Sequence, residues 1–318
     1  MKNIIENFKN LYHKNDPIRR LINILWLKKG RRITQEEVLT LSKRNPRYKF
    51  WADLYSSNFN SLSFWSDWLK DSDLANFRGE NVFVTQIGRG FLKKKYLNSY
   101  LYSLGVDHAE VYSKLDSDDG AFGAIRVKIG KDTIVTRDQI DSVIEINYLI
   151  KKIQLNPEEE IKFLDIGSGY GRFASNALKF FSRATVFCAD VVPQASFVAE
   201  YYLHQIGFLD RVRLGSYDQL KNAGNFDIAI NIHSFSESPY ESIEKWISIV
   251  RKAQVKFLFI VPSGNGLMSY EPDKSRKDYF PLLTSSGFNL IDKRKKYTGN
   301  DAFEFISPAD YYLFQLRE

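Results

Sequence analysis

Phe163-Leu-Asp-Ile-Gly-Ser-Gly-Tyr-Gly171 is the stretch on which the fold turns. An apolar run meets glycines at 167, 169 and 171, and a helix is expected over 171–181. The order predicts strand, tight turn, helix. So tight a turn needs positive φ or close backbone approach, which glycine tolerates cheaply. At the carboxyl edge of an open parallel sheet, such a turn borders the crevice where α/β folds bind ligands. Bare N–H groups of the loop and the helix N-terminus are expected to face that crevice and suit an anionic group.

Outward from this stretch the chain alternates. A helical face of Ile140, Val143, Ile144, Ile146, Leu149 and Ile150 predicts a helix over 137–152. Strands are expected at 161–166, 184–189, 211–214, 226–232, 256–261, 288–293 and 311–317. Helices are expected at 194–206, 241–253 and 276–285. Strands that are apolar throughout and alternate with helices indicate an α/β fold, a mostly parallel sheet covered on both faces. The expected fold is Rossmann-like, seven-stranded and mostly parallel, spanning residues 136–318. Residues 1–135 read as an α-rich accessory region that serves the substrate side. It is dense in aromatics (Trp51, Tyr55, Phe59, Phe64, Trp65, Trp68) and has a capping box at Thr34 and Glu37. Asn45-Pro46 is expected to end that first helix. A short strand or hairpin is expected within 116–131.

The glycine spacing separates two ligand classes. A dinucleotide pyrophosphate loop of form G-x-G-x-x-G would need glycine at 172, where Arg172 stands. The third glycine lies at 171 instead. That spacing resembles motif I of class I methyltransferases. The resemblance implies S-adenosyl-L-methionine as cofactor, with Asp165, Gly167, Ser168, Gly169 and Gly171 around its methionine end. Thr185-Val-Phe-Cys-Ala-Asp190 follows. An acid at this strand end can accept hydrogen bonds from both ribose hydroxyls, and its charge suits a sulfonium cation. Val191 adjoins it. Gly215-Ser-Tyr-Asp218 occupies the place where this class contacts adenine, so Tyr217 and Asp218 are candidates there, with a solvated turn as the alternative.

The strand at 226–232 runs into His233-Ser-Phe-Ser-Glu237. A hydroxyl is a poor nucleophile at neutral pH, so a positioned base helps in-line methyl transfer. His233 is the natural candidate, and Glu237 can orient it, act as base itself or hold a substrate hydroxyl. Three stretches are similar to the bacterial sugar O-methyltransferases of polysaccharide gene clusters. They are Ile166–Arg172, Ala189–Pro193 with Ala199–Leu203, and Asn231-Ile-His-Ser-Phe-Ser-Glu237. The opening of the helix at Thr136–Val143 is similar too. Ser238 and the position of Pro193 depart from that family's pattern. The resemblance implies a sugar, nucleotide-sugar or glycan substrate, with Tyr170, Arg172 and Ser236 on the acceptor side. Other acceptors, RNA or a small metabolite, remain open, as does a silent binding protein with this fold. No RNA-binding module is legible.

Composition bounds the rest. The 318 residues are 44% hydrophobic and 15% aromatic, enough for a large core. The net charge is +7, yet residues 1–50 hold 13 Lys/Arg against four acids. That basic front end suits a phosphate-bearing partner or peripheral membrane contact, or is a solvated face. The single cysteine, Cys188, lies in an apolar strand and fits a reducing, cytoplasmic setting; no leader peptide is legible. The acidic pairs Asp71/Asp73 and Asp118/Asp119 read as solvated turns, and no metal is expected.

Overall fold

The structure, a computed structural model, describes residues 34–55, 65, 69, 73–78, 89–129, 133–220, 224–264, 266–299 and 309–317. The basic residues before 33, Phe59, Phe64, Trp68 and Asp71 lie outside them, as do the expectations that rest on them. The accessory part contributes helices α1 (Gln35–Thr40), α2 (Pro46–Leu54), α3 (Arg89–Val106) and α4 (Val111–Lys114). It also contributes a hairpin of β1 (Val127–Ile129) and β2 (Thr133–Val135), paired antiparallel. Then come α5 (Arg137–Ile153), β3 (Lys162–Ile166), α6 (Arg172–Phe180), β4 (Thr185–Asp190) and α7 (Pro193–Gln205). β5 (Val212–Ser216), α8 (Tyr217–Leu220), β6 (Ile228–Ile232), α9 (Tyr240–Lys252) and β7 (Phe257–Val261) follow. The chain closes with α10 (Phe280–Ser285), β8 (Phe288–Lys295) and β9 (Asp310–Leu316).

Seven strands form one sheet in the order β5-β4-β3-β6-β7-β9-β8. β9 alone runs opposite to the other six strands. The chain moves outward from β3 to β5, then returns to place β6 on the other side of β3. The order therefore reverses between β3 and β6, and a crevice opens beyond their carboxyl ends. Alternate strand residues feed two cores. Phe163, Val186, Cys188, Ile230 and Phe259 pack on one face. Leu164, Ile166, Phe187, Ala229 and Leu258 pack on the other. This period of two explains why every central strand reads as continuously apolar. Full burial of such a side chain contributes about 1.5–3 kcal/mol, so the sheet is the stable platform of the molecule.

Several local expectations change. The capping box forms: Thr34 Oγ1 accepts from Glu37 N–H and Glu37 Oε2 from Thr34 N–H. Asn45-Pro46 does not end α1, which stops at Leu41; it starts α2, with Asn45 as N-cap and Pro46 in the first turn. The helix expected over 276–285 begins only at Phe280, because 266–279 is a loop pinned by side chains of its own. Residues 215–218, read as an adenine contact or a solvated turn, are the end of β5 joined directly to α8. Asp118 is not solvated. Its carboxylate pairs with Arg78 at 2.6 Å and accepts from Thr136 Oγ1. Burial alone would raise that carboxyl, but the Arg78 charge and these hydrogen bonds hold it down at about 2.

The accessory helices rest on the sheet's own helices. Trp51 Nε1 donates to Glu200 of α7 at 2.7 Å, and Tyr55 Oη lies 2.6 Å from Ser196 Oγ. Trp51, Tyr55, Leu74 and Phe122 share one apolar cluster with Tyr170, Phe197 and Val198. Among the described residues no helix is long and apolar enough to cross a membrane.

Candidate active site

One cavity occupies the crevice. Its floor is the glycine loop, its sides the ends of β4 and β6, and its roof the first turn of α5 together with Trp65, Leu69, Phe77 and Arg78. Gly167, Gly169 and Gly171 all take positive φ, +71°, +57° and +86°. At Gly167 the requirement is doubly strict: an added Cβ would sit 2.2 Å from Ser234 Oγ and 2.3 Å from Ser234 Cβ. Glycine there lets the loop after β3 touch the turn after β6.

The loop's donors are not bare, contrary to expectation. Gly167 and Ser168 donate to Ala189 O at the end of β4, and Gly171 donates to Ser168 O. Gly169 donates to Asp190 Oδ2 at 3.0 Å. Tight turns close on nearby acceptors before they wait for a ligand. Asp190 Oδ1 also accepts from Val191 and Val192 N–H, so one carboxylate fixes the loop and the start of α7. Burial pushes its carboxyl up to about 6 even against these three donors.

Asp165 sits beneath the loop, 3% exposed, and lines the cavity. Its Oδ2 is buried without a hydrogen-bond partner. Burial raises this carboxyl to about 7; Arg172 opposes the rise while Asp190 and Glu145 add to it. A buried, unpartnered carboxylate oxygen costs free energy unless a donor or cation arrives. Asp165 and Asp190 thus fit a ligand that carries positive charge and hydroxyl donors.

At the end of β6, Asn231 Nδ2 donates to Ile166 O and Asn231 Oδ1 accepts from Phe235 N–H, stapling β6 to β3. His233 follows with φ +71°, a strained value for a residue with a Cβ. The 3-10 turn Ser234–Glu237 carries Glu237 into the cavity, where Trp65 Nε1 donates to its Oε2. Burial raises Glu237 to about 7. Burial lowers His233 to about 3, and the nearby charges of Arg137 and Lys296 lower it further.

The cavity thus gathers Asp165, Gly167, Ser168, Gly169, Asp190 and Val191 with His233, Glu237, Tyr170 and Arg172. Gly171 lies just outside the lining, packed on Leu203. Ser236, Tyr217 and Asp218 are not part of it. Ser236 Oγ accepts from Ser263 N–H, and Tyr217 packs edge-on against Trp246, whose ring does line the wall. Tyr170 and Arg172 reach the cavity, but their polar atoms are committed to α5. Tyr170 Oη donates to Asp138, and Arg172 pairs with Glu145 at 2.8 Å. Sequence reasoning missed Trp65, Arg78, Arg137, Asp138 and Asp141. The last three occupy the first turns of α5, where charged residues amid an apolar helix were the available signal. Among the described residues, no group of three or more His, Cys, Asp or Glu side chains is arranged to hold a metal ion.

No protein-family model matches the chain, and no curated protein matches it. Among the solved structures to which the chain is similar are two methyltransferases. An S-adenosylmethionine-dependent methyltransferase from Clostridium acetobutylicum ATCC 824 is 15% identical, covering 56% of this chain and 91% of its own, TM-score 0.42. Magnesium protoporphyrin IX methyltransferase from Synechocystis PCC 6803, with bound cofactor, is 14% identical over 71% and 97%, TM-score 0.41. The architecture expected from the sequence is the one observed: a Rossmann-like α/β fold with a sheet of seven strands, all but one parallel.

Proposed function

We propose that this chain is an S-adenosylmethionine-dependent O-methyltransferase whose acceptor is a sugar hydroxyl, on a nucleotide sugar or a surface-polysaccharide glycan. One observation carries the reading. A buried carboxylate with an orphaned oxygen, Asp165, and a strand-end acid, Asp190, flank a glycine loop in the switch-point crevice. Asp190 would accept from the ribose hydroxyls, and Asp165 would face the cationic end. When bound, the cofactor supplies an electrophilic methyl group on a sulfonium. Gly167 and Gly169 keep side chains out of the space beside it. Val191, Trp246 and Leu69 give that half of the cavity its apolar wall. His233 and Glu237 stand on the β6 side and would handle the acceptor's hydroxyl.

The sugar class rests on the similarity of residues 231–237 to the sugar O-methyltransferases. A cavity wall that mixes Trp65 with carboxylates and arginines suits a hydroxyl-rich acceptor. The test is transfer of a labelled methyl group from S-adenosylmethionine to a panel of nucleoside-diphosphate sugars. Label on a sugar hydroxyl supports the reading. Cofactor binding with label appearing only on RNA or on a non-sugar metabolite would overturn the acceptor class.

A further inference from the structure

On the methyltransferase reading above, we propose that Glu237 takes the acceptor's proton and that Trp65 positions it by donating its indole N–H. Trp65 and Glu237 are 172 residues apart in sequence and meet across the cavity, so the accessory region completes the site. The turn that carries Glu237 is fixed from several sides. Ser238 Oγ donates to Ser234 O, Ser236 N–H to His233 O, and Arg276 to Ser236 O at 3.0 Å. The indole fixes the carboxylate through Oε2, and the acceptor's proton would go to Oε1.

His233 occupies a different electrostatic setting. The charges that bear on it are Arg137 and Asp141 of α5, Arg172 of α6 and Lys296 after β8; the three cations oppose a further positive charge and Asp141 favours it. A group held unprotonated at about 3 is too weak a base at neutral pH. Glu237 is matched to neutral pH, at about 7. The groups that bear on it are Trp65 from the accessory region, Asp190 at the end of β4 and Arg276 from the loop after β7. Trp65 and Arg276 favour its charged form and Asp190 opposes it; burial outweighs them.

The step balances. The hydroxyl oxygen forms a C–O bond to the methyl carbon as the S–C bond breaks, and that bonding pair stays on sulfur. The hydroxyl proton passes to Glu237, which later releases it to solvent.

The test needs no acceptor. In the full chain labelled with ¹⁵N-tryptophan, the indole signal absent from Trp65→Phe is followed from pH 5 to 9. The expected result is a titration midpoint near 7, absent in Glu237→Gln, with the ¹⁵N-labelled His233 ring neutral throughout. In Trp65→Phe the Glu237 carboxyl, read by ¹³C, should titrate at higher pH, since a donor favouring the charged form is gone. An indole signal that ignores pH, or a His233 ring that titrates near 6.5, overturns the assignment. Calorimetry with S-adenosylmethionine separates the two claims. Wild type, Trp65→Phe and Glu237→Gln should bind within about threefold of one another. Absence of binding in wild type would remove the methyltransferase reading, while the titration would still decide the Trp65–Glu237 pair.

Discussion

Gly167 and Gly169 carry similar positive φ but different demands. A Cβ at Gly167 meets Ser234 at 2.2 Å, whereas one at Gly169 meets nothing within 4 Å. The left-handed backbone alone costs an alanine about 1–2 kcal/mol. Gly169→Ala should lose about that much in urea unfolding. Gly167→Ala should lose upwards of 3 kcal/mol, because overpacking adds to the strain. Asp165 gives a prediction in pH. Burial raises its folded carboxyl to about 7 from an ordinary 3.8. Between those values the native state binds more protons than the unfolded state, so stability falls as pH rises through the window. Asp165→Asn removes that penalty. The cofactor-free variant should exceed wild type by about 4 kcal/mol at pH 8, with the gain shrinking to nothing near pH 4. A gain that grew toward acid would contradict the burial of this carboxyl. Asp165, Asp190, Gly167 and Gly169 were legible as residues of the crevice because their places follow from the ends of two strands and one turn. Trp65 was not, since no local pattern marks a side chain whose partner is 172 residues away.

At the scale of elements, α5 shows where reading by periodicity stops. Its apolar residues formed one face, and their spacing alone does not place the polar positions between them. In the fold every residue from Asp138 to Leu149 is buried, so the acids face protein. Asp138, Asp141 and Glu145 recur at helical spacing and meet Arg78, Lys296 and Arg172. Burial of opposed charges is retained only when each has a partner. Glu145→Ala should therefore cost about 3–5 kcal/mol in denaturant unfolding, because Arg172 and Lys296 lose their shared anion. Glu145→Leu combined with Arg172→Met should cost less than Glu145→Ala alone. A double variant that is the worse of the two would contradict this account of the helix. The strands were legible as elements because both faces are covered. The direction of β9 was not, since an apolar strand reads the same forwards and backwards.

For the whole molecule, the accessory helices and the sheet share apolar clusters. Trp51 is buried against α7, in the same cluster as Tyr170 of the glycine loop. Trp51→Ala should cost about 3–5 kcal/mol and lower the melting of the sheet in a single transition. Two separate transitions would show that α2 is merely appended. This sharing explains how residues outside the Rossmann-like unit come to line its crevice, and why the loop geometry there is set by the whole fold. The decisive measurement is calorimetric titration of wild type and Asp190→Ala with S-adenosylmethionine at pH 7.5. The account predicts one site in wild type and an affinity lower by roughly 10- to 100-fold in the variant, the loss of a charged hydrogen-bond acceptor. No binding by wild type, or equal binding by both proteins, would contradict it.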